Sequence, residues 1–215
     1  MEHSDMVDVN RTKLFPTSIY TFKSGLEKHH EEMMVSIAGD LKANYKNVHE
    51  GKDVPFGLFQ GRDDLQNFDS FKPFTEFVSH LCGGILNQEG YANQEIEVTQ
   101  MWANQQVDGS IHPPHTHANS LLSGVYYLKA SKDTAGTQFF DPRAQAKVLI
   151  PRRANQNMDN SHMYQVPSET GSGVIFPSWL QHWVPTNTDE RVTISWNILV
   201  RGTYGEPQTL QNANI

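Results

Sequence analysis

The residues best suited to chemistry are histidines, because three of the chain's ten histidines lie within six residues. They are His112, His115 and His117, in the stretch GSIHPPHTHANS. Side chains two residues apart on an extended backbone project to the same side, so His115 and His117 should point together. Neutral imidazole is a common ligand for iron, zinc, copper and nickel. Together with His182 in the later run VIFPSWLQHWVP, the pair predicts a metal site, and we expect His112 to have a structural role or to support a ligand without binding the metal.

A second chemical feature is the alternation of polar and apolar residues in the segment 191–200, RVTISWNILV. Alternate residues of a strand face opposite sides, so Arg191, Thr193 and Ser195 should share one face. Two interpretations are open. The polar face lies in water, as in an ordinary half-exposed strand, or it lines an internal site.

The residues between His182 and Arg191 favour the internal site. The sequence PTNTDE, residues 185–190, is typical of a hairpin loop. If Val184 pairs with Arg191, then His182 lies opposite Thr193, and directly paired residues share a face. An imidazole, a guanidinium and hydroxyls would then converge on a site for a metal and a carboxylate, which arginine grips well. A slip of one residue in this register would undo the argument.

The elements that position these residues are two helices followed by short strands. Ser24 and Glu27 form the pattern of a capping box, ahead of a helical stripe that runs to Tyr45. A second helical stripe starts at Phe71 and is expected to end near Gly83–Gly84. From residue 94 onward about seven β-like runs alternate with turn residues, which predicts a sandwich or barrel, jelly rolls included. We therefore expect a mainly β fold with helices packed on one outer face of a sheet.

The chain of 215 residues is predicted to form a single domain, 1–215. Its expected parts are a mainly helical portion, 1–93, a jelly-roll core, 94–201, and a tail, 202–215. The polar stretch 151–170 is expected to be a long loop, either a lid or disordered.

Composition restricts the class of protein. A net charge of −7 argues against nucleic acid as a partner, since proteins that bind phosphate backbones usually carry a basic face. No apolar run is long enough to span a bilayer, and no secretory signal is evident, so we expect no membrane partner and a cytoplasmic protein. The single Cys82 is expected to be a buried thiol. Oligomeric state is not readable from the sequence.

Five stretches carry a resemblance to a known family: LFPT, HTHANSLLSGVYYL, FFDPR, SGVIFPSWLQHWV and ERVTISWN. On these stretches the chain resembles the 2-oxoglutarate and Fe(II)-dependent oxygenases. More narrowly, it looks like a family of such oxygenases from marine bacteria and phages that is similar to prolyl hydroxylases. The resemblance implies a double-stranded β-helix, or jelly roll, with the N-terminal helices packed on one sheet. It also implies Fe(II), O2 and 2-oxoglutarate as a co-substrate.

The resemblance assigns roles to individual residues at the metal end of the site. His115 takes the place of the first metal ligand and His182 that of the last. The superfamily usually has a carboxylate two residues after the first histidine, and this chain has His117 there. Three alternatives remain: His117 is the third ligand, water fills the third position, or a remote carboxylate such as Asp141 does. A water-filled site is known in some aspartyl/asparaginyl β-hydroxylases, whose ligand sits in a similar P-H-T context.

The resemblance also assigns the residues that bind 2-oxoglutarate. Arg191, nine residues after His182, matches the arginine that binds the distal carboxylate, and Thr193 or Ser195 would add a hydroxyl. The run SGVYYL resembles the strand of prolyl hydroxylases whose second tyrosine, here Tyr127, reaches the same carboxylate. Ser123 has the same strand parity as Tyr127 and would line the same wall.

The implied activity is hydroxylation of a substrate C–H bond with conversion of 2-oxoglutarate to succinate and CO2. A peptidyl proline or asparagine, a small amino acid and a nucleotide base are all open as substrates, and the SGVYYL and P-H-T similarities favour a peptidyl or free amino acid. Trp102, Trp179 or the 151–170 segment would contact it. One alternative is a cupin-type metalloenzyme that does not use 2-oxoglutarate, although a cupin does not require the Arg191 spacing. Another is a non-catalytic jelly-roll binding or structural protein, which needs no cluster of histidines.

Overall fold

Two antiparallel sheets form the centre of the molecule, and helices cover the outer side of the larger sheet. The computed structural model describes residues 9–43, 46–47, 57–91, 95–143, 145 and 148–215. The elements in chain order are β1 Tyr20–Lys23, α1 His30–Ala43, β2 Lys46–Asn47, β3 Leu58–Gln60, α2 Lys72–Gln88, β4 Glu95–Gln106, β5 His112–His115, β6 Leu122–Lys129, β7 Thr137–Phe140, β8 Met163–Val166, β9 Ser172–Pro177, β10 His182–Val184, β11 Arg191–Arg201, β12 Thr203–Tyr204 and β13 Ala213–Asn214.

The larger sheet has the strand order β1-β9-β6-β11-β4-β3-β2, and the smaller has the order β5-β10-β7-β8. This is the predicted mainly β, jelly-roll architecture. Three strands of the larger sheet come from the portion 1–93, which we predicted to be mainly helical. Within 202–215, β12 and β13 pair as a small sheet of their own. Among the described helices, none combines the length and the hydrophobicity of a membrane-spanning segment.

Strand β11 lies near the middle of the larger sheet and is buried on both sides. Its apolar residues, Ile194 and Trp196 among them, pack in one core cluster with residues of α1 and α2. Its polar residues face the smaller sheet, and Arg191, Thr193 and Ser195 are only 2%, 1% and 4% exposed. The polar face therefore lines the interior, and the half-exposed strand is excluded.

The predicted pairing of Val184 with Arg191 is wrong. Strand β10 pairs with β5 and β7 in the smaller sheet, whereas β11 pairs with β4 and β6 in the larger one. The connection 185–190 crosses between the sheets instead of forming a hairpin. Asn187 holds it there, since its backbone amide donates to the Ser110 carbonyl at 2.8 Å and its side-chain oxygen accepts from the Ala135 amide at 2.9 Å. His182 and Arg191 therefore reach one site from facing sheets.

Both helix boundaries derived from local patterns are also wrong. The hydroxyl of Ser24 accepts from the amide of Leu26 at 3.0 Å and contacts the Tyr126 hydroxyl at 2.6 Å, so it caps no helix. A short 3-10 turn at Glu27–His29 precedes α1. Tyr45, the end of the predicted stripe, lies outside the described residues.

Helix α2 continues through Gly83–Gly84 to Gln88. Each glycine costs a helix about 1 kcal/mol relative to alanine. Ile85 and Leu86 are buried beyond the glycines, and their burial stabilises the last turns by more than that cost. Cys82 is fully buried on the same helix, as expected.

Gly124 explains why the run SGVYYL contains a glycine. Gly124 pairs with Trp196 across β6 and β11, and both face the helices. A β-carbon at residue 124 would overlap the indole ring of Trp196, which is fully buried and packs edge-on against Phe74 with ring centroids 5.4 Å apart.

We predict that Gly124→Ala lowers the free energy of unfolding by about 3 kcal/mol or more, because a packed core cannot make room for the extra methyl. Chemical denaturation monitored by tryptophan fluorescence measures this. Gly84→Ala is the control, since a β-carbon there meets nothing within 4 Å. Equal stability of Gly124→Ala and the wild type would contradict the packing described.

Candidate metal centre and carboxylate pocket

Three histidines converge between the two sheets. His115 and His182 are partners in the ladder between β5 and β10. His117 follows β5, and its backbone amide donates to the Ser178 carbonyl at 2.9 Å. One ring nitrogen from each of the three lies within 4.8 Å of the others, and no carboxylate of the described residues joins this group. The spacing suits one metal ion held by imidazoles.

The hydrogen bonds of His115 and His182 fix which ring nitrogen is free. The Nδ1 of His115 lies 2.8 Å from the carbonyl oxygen of Pro113, and that of His182 lies 3.0 Å from the carbonyl oxygen of Leu180. A carbonyl only accepts, so each Nδ1 carries the proton and each Nε2 presents a lone pair. This is the second contact that metal-binding histidines usually make.

Burial keeps the cluster neutral. It lowers the pKa of His182 to about 3 and that of His117 to about 4, and the neighbouring His115 contributes to both shifts. Burial also lowers the pKa of His115. A metal does not bind a protonated imidazole, so near neutral pH all three rings are in the form that a metal requires.

His117 is held by a network that the sequence did not reveal. Its Nδ1 lies 2.7 Å from Oδ1 of Asn197 and 2.8 Å from Oγ of Ser123. The amide orientation of Asn197 is consistent with this, because its Nδ2 donates to Oε1 of Gln100 at 3.1 Å. The Ser123 hydroxyl also lies 2.8 Å from that of Ser178. Asn197 continues the polar face of β11, which was the available signal for it.

Arg191 lies in the same pocket as the histidines and is buried without a counter-charge. Its guanidinium lies over the ring of Tyr127, 5.1 Å from the ring centroid, and Nη1 donates to Oε1 of Gln106. Within the described residues no carboxylate is close enough to form an ion pair with it. Burial lowers the pKa of Arg191, as expected for a cation that has lost its hydration. A buried charge of this kind needs a partner, and an anionic ligand supplies one.

Several buried hydrogen-bond donors around the pocket have no partner among the described residues. Nε of Arg191, Nε2 of Gln106 and Nε1 of Trp102 are buried and have no hydrogen-bond partner among the described residues. Gln106 lies opposite Arg191 in the ladder between β4 and β11, and sequence reasoning missed it. Because buried donors need acceptors, this set suits a ligand with carboxylate oxygens.

The comparison with known families agrees with the donor set. Residues 100–197 match the family described as "Putative 2OG-Fe(II) oxygenase". The matched segment contains all three histidines and Arg191. The match covers slightly less than half of the chain, and over this segment the chain is similar to the 2-oxoglutarate and Fe(II)-dependent oxygenases. The enzyme class is therefore that of 2-oxoglutarate-dependent oxidoreductases, with Fe(II) as the metal.

Solved structures share the fold of this oxygenase. A Pseudomonas putida prolyl-4-hydroxylase is similar with a TM-score of 0.60 at 13% identity, over 84% of this chain and 92% of the other. HygX from Streptomyces hygroscopicus, solved with nickel, 2-oxoglutarate and hygromycin B, has a TM-score of 0.57 at 10% identity, over 85% and 82%. A Trichoplax adhaerens prolyl hydroxylase, in complex with a peptide of hypoxia inducible factor, has a TM-score of 0.57 at 14% identity, over 83% and 82%. No curated protein matches the chain significantly.

The oxygenase pocket brings most of the predicted co-substrate residues together. Thr193 and Ser195 line it, and the Ser195 hydroxyl accepts from Nδ2 of Asn104 at 3.1 Å. The Tyr127 hydroxyl lies 2.9 Å from that of Thr137, which also lines the pocket. Ser123 does not lie where we predicted. Its hydroxyl hydrogen-bonds His117 at the histidine end of the pocket, instead of lining the wall beside Tyr127.

Four other predicted residues have clear positions in the oxygenase. The Asp141 carboxylate accepts from the Arg143 guanidinium at 2.9 and 3.0 Å and is not part of the histidine group. Trp102 lines the pocket with its ring centroid 5.6 Å from that of His117, whereas Trp179 is 55% exposed. His112 stacks on His115, with centroids 4.3 Å apart and planes at 15°.

Asn197 offers a direct test of how His117 is oriented. We expect Asn197→Leu to weaken Fe(II) binding by about 10- to 100-fold, the usual cost of losing the group that orients a metal-bound histidine. Titration with Fe(II) under anaerobic conditions measures this. Asn104→Leu is the matched control, since it removes a buried amide that hydrogen-bonds Ser195 and no histidine. An equal loss of affinity in both variants would show a general effect of buried polar groups.

Proposed function

We propose that this oxygenase hydroxylates a C–H bond of a peptidyl or free amino acid while 2-oxoglutarate is decarboxylated to succinate and CO2. The observation that carries the proposal is that three neutral histidines and a buried arginine without a counter-anion line one pocket. The histidines suit a metal, and the arginine suits the far carboxylate of a co-substrate bound to that metal.

His115, His117 and His182 would hold the iron. Of the three alternatives for the third ligand, the geometry favours His117, because its nitrogen lies within 4.8 Å of the other two ligand atoms. The carboxylate of Asp141 is engaged by Arg143, which argues against it as the third ligand. All three ligands would then be neutral, so the site would carry more positive charge than the usual two-histidine, one-carboxylate centre.

Arg191 would neutralise the distal carboxylate of 2-oxoglutarate, with Gln106 donating from the side. Thr193, Ser195 and Tyr127 would complete the wall around it. The Ser123 hydroxyl would hold the ring of His117 in place, instead of lining the wall beside Tyr127 as we first predicted. Since the pocket lies between two packed sheets, bound co-substrate would be kept from water along most of its length.

When bound, iron with 2-oxoglutarate and O2 supplies the oxidising chemistry, and the protein supplies binding and orientation. The Nδ1–H bonds of His115 and His182 to backbone carbonyls fix the two rings. Phe139 and Phe176 pack beside His182, with centroids 5.9 and 4.5 Å from its ring, and exclude water from that side.

The amino-acid substrate is the finer part of the proposal. It is supported by the SGVYYL and P-H-T similarities and by the peptide bound to the Trichoplax prolyl hydroxylase. HygX, which is solved with hygromycin B, shares the fold, so the fold alone does not select a peptide. Trp102 beside His117 would form a wall of the substrate site.

The unpaired Arg191 argues against the two alternatives. A cupin-type metalloenzyme would use the histidines but would not need a buried cation in the same pocket. A structural jelly roll would need neither the histidine cluster nor the buried arginine, and burying either of them would lower the stability of the fold. Neither alternative therefore explains why the buried and unpaired Arg191 lies in the same pocket as the histidines.

The test is to add Fe(II) and 2-oxoglutarate without O2 and to look for a visible metal-to-ligand charge-transfer band. We expect the band with 2-oxoglutarate and no band with succinate, which lacks the 2-oxo group that chelates the metal. Bound iron without a band would favour the cupin interpretation. Absence of any metal binding would favour a structural role.

A further inference from the structure

A groove outside the metal pocket is lined by Asp141, Arg143 and residues between Leu149 and His162. The order of residues along β7 places it relative to the metal. Thr137 lies at the co-substrate end, against Tyr127, and Phe139 pairs with His182. Asp141 comes two residues later, about 7 Å further along the strand direction. The groove therefore begins on the side of the histidines opposite Arg191, where a substrate can approach without displacing the co-substrate.

The groove is joined to the metal pocket by backbone hydrogen bonds. The amide of Phe140 donates to the carbonyl of Gln181 at 3.0 Å, next to His182, and the amide of Asp141 donates to the carbonyl of His162 at 2.9 Å. Asp141 and His162 of the groove are thus linked through β7 to Gln181, which directly precedes His182. A chain bound in the groove would lie next to the strand that carries His182.

The groove has free positive charge. Arg143 is paired with Asp141, and Asp159 is contacted by Arg11 at 2.5 Å and Lys13 at 3.4 Å. Arg152 and Arg153 also line the groove, are exposed, and form no ion pair with a described residue. Both acidic side chains of the lining already have basic partners, so the two free arginines favour an anionic ligand, although the whole chain has a net charge of −7.

Apolar side chains beside these arginines distinguish among anionic ligands. Leu149 and Ile150 line the groove and are 84% and 56% exposed. Exposed aliphatic residues suit peptide side chains, whereas single-stranded nucleic acid is usually bound by aromatic stacking. The net negative charge of the chain also opposes a long phosphate backbone. Aliphatic and cationic groups side by side suit a peptide with acidic and aliphatic residues.

We propose that the groove around Arg152 and Arg153 docks an acidic, aliphatic segment of a polypeptide substrate and presents a neighbouring residue to the metal. This deepens the proposed function and rests on it, because it names the substrate class of the same site. The contacts that position the peptide lie outside the pocket of the histidines and Arg191. Docking and co-substrate binding are therefore separable by mutation.

The probes are three fluorescein-labelled ligands of equal length. The first is a 12-residue peptide with alternating Glu and Leu around a central proline or asparagine, the second has Gln for every Glu, and the third is a single-stranded oligodeoxynucleotide. Fluorescence anisotropy is measured with the full-length protein loaded with Fe(II) and 2-oxoglutarate without O2. We expect the acidic peptide to bind at least about tenfold more tightly than its Gln counterpart, and to bind more weakly at high salt.

The variant is Arg152→Glu/Arg153→Glu, and the matched control is Lys28→Glu/Lys72→Glu. The control makes the same charge change at two exposed lysines near the starts of the helices, whose buried faces pack on the outer side of the larger sheet. We expect about a tenfold loss of peptide affinity in the arginine variant and little change in the lysine variant. The peptide should also stimulate succinate formation by the wild type and not by the arginine variant.

The outcomes separate this inference from the proposed function. If the charge-transfer band forms in both variants but the arginine variant binds the peptide as well as the control does, docking in the groove is refuted and the enzyme assignment stands. Tighter binding of the oligonucleotide than of the acidic peptide refutes the peptide class. If no band forms even in the wild type, the proposed function fails, whatever the peptide does.

Discussion

Arg191→Met is expected to abolish binding of 2-oxoglutarate while Fe(II) binding persists. Without the guanidinium, the distal carboxylate would be buried with no counter-charge, which costs ~3–5 kcal/mol. That corresponds to a rise in the dissociation constant of about 100-fold or more. Calorimetric titration of the Fe(II)-loaded protein measures it, together with loss of the charge-transfer band. Arg201→Met is the control, because Arg201 pairs with Glu97 at the far end of the same strand.

We also predict how the Arg191→Met substitution changes the stability of the ligand-free protein. Arg191 is buried without an anionic partner, so its charge costs free energy in the ligand-free protein. Methionine fills much of the same volume without the charge. Gln106 loses one hydrogen bond, at about 1–3 kcal/mol, against several for the relieved charge. We expect the melting temperature of ligand-free Arg191→Met not to fall. A large fall, or unchanged 2-oxoglutarate binding, would refute the role of Arg191.

Which side chains face the site could be predicted from the sequence, because two local rules of backbone geometry determine where they point. Strand parity placed Arg191, Thr193 and Ser195 on one face, and the H-x-H spacing placed His115 and His117 together. Both rules depend only on backbone geometry over a few residues. They hold whichever strand lies alongside. The predicted faces of these side chains therefore did not depend on the strand pairing, which was predicted wrongly.

The strand pairing itself could not be predicted. A six-residue connection suits either a hairpin or a crossing between facing sheets, and its own sequence does not decide between them. The decision depends on contacts with distant residues, such as that of Asn187 with Ser110 and Ala135. Helix ends were missed for the same reason, since burial of Ile85 beyond two glycines extends α2 further than propensity predicts.

Residues that act through another residue were also missed. Asn197 and Gln106 carry no recognisable motif, and neither amide titrates. Their roles follow from the side chains that they contact, His117 for Asn197 and Arg191 for Gln106. Such pairings join strands far apart in the sequence, so only the assembled sheets reveal them.

His117 decides what kind of metal centre this is. If it is the third ligand, His117→Ala should weaken Fe(II) binding by at least about 100-fold, more than loss of a supporting group usually costs. His117→Asp should retain Fe(II), because a carboxylate restores the usual two-histidine, one-carboxylate set. Anaerobic titration with Fe(II) measures both variants, and His182→Ala gives the loss expected for a ligand.

The matched control is His112→Phe. His112 is a partly buried histidine that stacks on His115, and phenylalanine keeps the stacked ring while removing both nitrogens. His112 is not among the three residues whose ligand atoms converge, so its replacement should leave Fe(II) affinity nearly unchanged. Near-normal Fe(II) affinity in His117→Ala would instead mean a two-histidine centre with water in the third position. The hydrogen bonds of Asn197 and Ser123 to His117 would then only shape the pocket wall, and Asn197→Leu should leave Fe(II) affinity unchanged as well.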